Sequence, residues 1–137
     1  MVYGEGADPR TATLVTGQTV SGPGLLLKAT GDLVETTDAS SSHVAIGVSA
    51  ADSTRDVDGA LDASAGATVS FYPMGGVLMI ASEALTWALG DIAYASASGQ
   101  CDKTSSSQKA IGIYVGTGET AAAGDLIPIN TNSAVVA

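Results

Sequence analysis

Apolar residues in this chain come in short bursts, and Gly, Asp, Ser and Pro divide one burst from the next. Bursts of this length, rich in Val, Ile, Leu, Thr and Tyr and bounded by turn-forming residues, predict β-strands. The predicted strands are Ala12–Thr16, Leu25–Ala29, Leu33–Thr36, Val44–Val48, Thr68–Tyr72, Val77–Ala81, Ile92–Ala95, Ala110–Val115 and Leu126–Ile129. No longer window carries an i, i+3, i+4, i+7 apolar stripe. The two short helix-compatible segments, 60–65 and 120–123, are expected to be turns, because so short a helix is marginal in water. The expected class is all-β, a compact β-sandwich or small barrel.

The pattern also repeats. Ser40–Val48 reads SSSHVAIGV and Ser105–Ile113 reads SSSQKAIGI, identical at six of nine positions. Pro23-Gly24-Leu25-Leu26-Leu27 aligns with Leu89-Gly90-Asp91-Ile92-Ala93, and Thr30-Gly31-Asp32 with Ser98-Gly99-Gln100 after a small gap. Ala65-Gly66 before Thr68-Val69 matches Ala123-Gly124 before Leu126-Ile127. These matches predict two similar β-units, about 11–74 and 77–130, within a single domain of 11–137. Each unit is expected to expose an apolar sheet face that the other covers. Gly47 and Gly112 fall at the same place in matching strands, which predicts a bulge or a close backbone approach at both. Residues 49–67 read as an exposed, Asp-rich loop. Residues 1–10, with Gly4, Gly6 and Pro9 and few apolar side chains, read as a flexible N-terminal arm, and the tail from Thr131 as similarly loose.

Composition narrows the chemistry. A 137-residue chain suits one domain and buries roughly two-thirds of its unfolded surface. Its core must be aliphatic, since there are one Trp, one Phe and four Tyr, while Ala, Gly, Ser and Thr supply 69 residues. With 14 acidic against 5 basic side chains, it has no basic stripe for nucleic acid and no polybasic segment for a membrane surface. The surplus of Asp fits either plain solubility or adaptation to high salt. No signal segment and no apolar run long enough for a membrane span is expected.

Candidate chemistry is sparse. His43 is the lone histidine and follows three serines, the one place for a nucleophile beside a base. Its counterpart in the second copy is Gln108, also after three serines, so a loop entering a strand accounts for both. Asp56-Val57-Asp58-Gly59 resembles part of a calcium loop, but Thr54 and Ala65 stand where its first and last ligands belong. Gly116-Thr117-Gly118-Glu119 lacks the Lys of a phosphate-binding loop and reads as a connection. Cys101 is alone, which excludes an internal disulfide or a Cys-based metal cage, and reads as a small buried hydrophobe. No catalytic residue, metal or cofactor is expected.

Three stretches resemble a known family. Asp8-Pro9-Arg10-Thr11-Ala12-Thr13, then Val44–Asp52 (VAIGVSAAD), then Thr68–Gly76 (TVSFYPMGG) are similar, in this order, to the arm and strands of lambda-like phage head decoration proteins. Trp87–Tyr94, Ala110–Ile113 and Ala123–Ile127 resemble β-rich capsid cement proteins. The longer loop before Thr68 and the whole second half depart from the lambda-like pattern. The resemblance implies a virion protein, made in the host cytoplasm, that sits on the outer capsid surface as a homotrimer at threefold positions. Its partner would be the major capsid protein, and it would brace the shell against packaged DNA. The N-terminal arm would carry the contact, with Val2, Tyr3, Pro9, Thr11, Ala12 and Thr13 as capsid-binding residues. In this reading Thr11–Val15 adds a strand to a capsid sheet edge. Another virion module (tail, fibre-base or adhesin-like) is the alternative. A small β-barrel hydrolase using His43 is a third reading.

Overall fold

The computed structural model describes residues 9–38, 44–103 and 110–132. Twelve strands account for nearly all its regular structure: β1 Arg10–Thr13, β2 Leu26–Thr30, β3 Leu33–Thr36, β4 Ala45–Ser49, β5 Thr68–Pro73, β6 Val77–Ala81, β7 Leu85–Trp87, β8 Ile92–Ala95, β9 Cys101–Asp102, β10 Ala110–Tyr114, β11 Glu119–Ala121 and β12 Leu126–Asn130. One 3-10 turn, Ala97–Gly99, completes it. The chain is all-β. Strands β3, β6 and β8 have the predicted bounds, and most others shift by a residue or two. Three short strands, β7, β9 and β11, were not expected, and Thr120 and Ala121 belong to β11 rather than to a turn.

Two five-stranded antiparallel sheets carry the structure, in the orders β1-β5-β4-β2-β3 and β6-β12-β10-β8-β9. These are one path followed twice, with β7 and β11 added in the second half as a separate two-stranded ribbon. The correspondence reaches single hydrogen bonds. Gly24 N–H donates to Ser49 O as Gly90 N–H does to Tyr114 O, and Ala50 N–H donates to Ser70 O as Val115 N–H does to Pro128 O. Each sheet curls until the residue after its first strand forms a parallel bridge to the third, Leu14 to Val34 and Ser82 to Cys101.

The paired glycines explain a shared irregularity. In β4 the register against β2 skips Ile46, and in β10 the register against β8 skips Ile111. The next residue lies against the neighbouring strand: a Cβ on Gly47 would be 2.4 Å from the Tyr72 carbonyl oxygen, and one on Gly112 2.4 Å from that of Asn130. Only glycine fits without displacing backbone, and the extra residue bends the strand as the sheet curls.

Two findings correct the sequence reading. The strand expected over Ala12–Thr16 runs over Arg10–Thr13, so Arg10 and the capsid-contact candidates Thr11–Thr13 belong not to an arm but to the edge strand β1, paired with Thr68–Phe71, and Leu14 is buried. The alternation that makes 10–14 a strand, with Ala12 and Leu14 packed against the core, holds it on the body. The apolar residues also divide into two clusters rather than one shared core. Leu14, Val20, Leu27, Val34, Ala67, Val69 and Phe71 form a cluster wholly inside the first half. The other is built on Leu78, Ile80, Trp87, Tyr114, Ile127 and Ile129 of the second half and takes in Leu26, Ala45 and Val48 from the first. Curling gives each sheet an inside of its own, so it does not depend on the other half to cover its inner face.

Candidate functional site

The side chains best suited to chemistry do not form a reactive constellation among the described residues. Cys101 is fully buried and free, and burial pushes its thiol up to about 12, leaving it protonated and inert at neutral pH. Lys28 is buried but its ammonium pairs with Asp38 at 2.8 Å. In the segment that resembles a calcium loop, Asp56 Oδ1 accepts the backbone N–H groups of Asp58 and Ala60, an Asx-type turn. The Arg55 guanidinium closes this turn on the Gly59 carbonyl and pairs with Asp52. Among the described residues no group of three or more His, Cys, Asp or Glu is placed to hold a metal ion. His43 and the two triple-serine segments lie outside the described residues.

The glycine-rich loop after β10 has a structural occupant. The Tyr114 hydroxyl accepts from Gly118 N–H and donates to Glu119 Oε1, both at 3.2 Å. A Cβ on Gly116 would lie 2.2 Å from that hydroxyl. The loop therefore wraps a buried tyrosine, whose ring stacks on Trp87 at 5.6 Å between centroids. A second polar string ties the halves together: Thr37 Oγ1 donates to the Ser96 carbonyl at 2.9 Å, and the Ser96 hydroxyl donates to Glu83.

What remains is surface. Of the residues expected to contact a capsid, Val2 and Tyr3 lie outside the described residues, and Pro9 is exposed just ahead of β1. Thr11, Ala12 and Thr13 are together in β1, with their backbone already paired to β5 on one side. On its other side no strand pairs with Arg10–Thr13 among the described residues, and the chain meets β3 directly after it, through the Leu14–Val34 bridge. Sequence reasoning missed a second surface. Leu89, Ile92 and Val115 are 71, 42 and 39 % exposed on the outer side of the second sheet, and Ile113, half-buried, is the cross-strand partner of Ile92. Periodicity had marked Ile92–Ala95 and Ala110–Val115 as strands, but it does not say which outer face is covered. No helix among the described residues is long and apolar enough to cross a membrane. Family models give no match to this chain, and neither do curated proteins.

Proposed function

We propose that this protein is a capsid decoration protein, bound to the outer surface of an icosahedral tailed-virus head and bracing it against the pressure of packaged DNA. The observation that carries the reading is the position of β1. The segment that resembles a decoration-protein arm leads directly into an edge strand of a small, tightly hydrogen-bonded all-β body. The body supplies rigidity, since its strands are joined in two hydrogen-bonded sheets and Gly24, Gly47 and Gly112 sit where a Cβ would collide with neighbouring atoms. Val2, Tyr3 and Pro9 then make the shell contact by adding backbone hydrogen bonds to a sheet of the major capsid protein, while Thr11, Ala12 and Thr13 anchor that segment to the body. In a homotrimer at a threefold position, three linked arms raise a weak single contact by roughly 10²–10⁴. In this reading the protein has no catalytic role.

The test is binding to expanded shells stripped of their decoration. The full chain is expected to bind and to raise the temperature at which shells rupture. A chain lacking residues 1–8, which keeps β1, is expected to fold with unchanged circular dichroism and to lose binding. Full binding by the shortened chain overturns the arm assignment. Failure of the full chain to bind any shell favours a different virion module.

A further inference from the structure

The two halves share one fold but not one environment, and the difference follows their register. Gly24, Leu26 and Val48 of the first half correspond to Gly90, Ile92 and Ile113 of the second. Leu26 and Val48 are fully buried, packed in the cluster built mainly by the second half. Ile92 is 42 % exposed. Gly24 and Gly90 have the same backbone conformation, φ +90° and +93°. A Cβ on Gly24 would lie 2.2 Å from Leu126 Cδ2 and 3.3 Å from the Met79 carbonyl oxygen, whereas one on Gly90 would meet nothing within 4 Å.

The joint between the halves is therefore head to tail. The outer face of the first sheet, at Gly24 and Leu26, sits on the β6–β12 rim of the second, where Ala81 N–H donates to Gly24 O at 2.7 Å. Among the described residues the reverse joint, the second sheet's outer face on the first sheet's rim, is not made. The rim residues corresponding to Met79, Ala81 and Leu126 are Thr11, Thr13 and Thr68. Among the described residues each molecule thus keeps an exposed apolar face, and a threonine rim, exposed at Thr11 and half-buried at Thr13 and Thr68, at the positions matching the face and rim that fit together inside it.

We propose that the face formed by Leu89, Ile92, Ile113 and Val115 binds a second copy of this chain, seated on that copy's β1–β5 rim at Thr11, Thr13 and Thr68. Contacts of this kind use two different patches, so they close into a ring when the rotation per copy allows and otherwise extend. The apolar face supplies the burial, and Gly90 O is the acceptor for Thr13 N–H of the neighbour. This names the contact that a trimer of the proposed decoration protein would use. It stands on the internal repeat alone, so it survives if shell binding fails.

Light scattering and sedimentation of the full chain over a wide concentration range test it. The wild-type chain is expected to self-associate. Ile92→Asp, at an already exposed position, is expected to keep the wild-type melting curve and weaken association on the order of 100-fold. Val57→Asp adds the same charge at a fully exposed loop position and is expected to leave association unchanged. Mixing a Leu89→Cys chain with a Thr11→Cys chain under oxidation is expected to give mixed dimers well above either homodimer, because the buried Cys101 does not compete. A chain that stays monomeric throughout overturns the proposal. So does equal weakening by both Asp variants, or a predominance of Leu89→Cys homodimers, which would mean face-to-face pairing.

Discussion

At the point where each sheet curls onto itself, the first half places Leu14 against Val34, and the second half places Ser82 against Cys101. The second half also carries Ala93 where the first carries Leu27, so its interior is lined by smaller side chains at three matched positions. Trp87 fills the difference. It lies in the added strand β7, is almost fully buried, and its indole N–H donates to the Ser82 hydroxyl at 2.8 Å. The first half has only a remnant of this ribbon, where Val20 and Ser53 exchange hydrogen bonds and Val20 reaches the core. One backbone path therefore tolerates two cores. One is filled by residues on the strands, and the other by a single large side chain brought in from a connection. Both cores are closed to water by different residues, and among the described residues no buried side-chain polar atom in either lacks a partner.

Breaking this comparison starts with Trp87→Ala. Its loss empties the second core and is expected to cost about 3–5 kcal/mol in urea denaturation, against about 2 kcal/mol for Val20→Ala at the matching place in the first half. Equal costs would show that Trp87 does not carry the extra volume. Next come the paired glycines. Gly47→Ala and Gly112→Ala each drive a methyl into neighbouring backbone and are expected to cost about 1–3 kcal/mol apiece. If one were neutral and the other severe, the two bulges would not be equivalent.

The smallest effect sharpens a difference in charge. Asp91 stands where the first half has Leu25, and its carboxylate accepts Ala88 N–H at 2.8 Å and pairs with Lys103 at 3.0 Å. The Ala88 hydrogen bond first, and Lys103 second, hold its carboxyl below the usual carboxylate range. A carboxyl with a lowered folded-state value stabilises the fold above the unfolded-state value, and that contribution is lost as pH falls through the folded-state value. Melting temperature is therefore expected to fall below about pH 4, and to fall less steeply in Asp91→Asn. Identical acid limbs in the two proteins would remove Asp91 from the account.

Strand periodicity, the duplicated AIG motif and the glycine that ends it were enough to predict an all-β chain of two like units with matched bulges. Each depends on side-chain alternation or on the absence of a Cβ, which are local properties. β7, β9 and β11 escaped because each is only two or three residues long, and β7 and β11 are held by pairing with each other across more than thirty residues. The end of the arm was misjudged for a related reason. The burst at Ala12–Thr16 signals a strand, but where that strand begins, at Arg10, is set by its register against Thr68–Phe71.

The amino-acid order by itself therefore determined the class, the repeat and the scarcity of reactive groups, since all three are written in residue type and spacing. Tertiary structure alone decided that Leu26 is buried and Ile92 is not. Equivalent strands present equivalent faces, and only the docking of one half on the other selects which face loses its water.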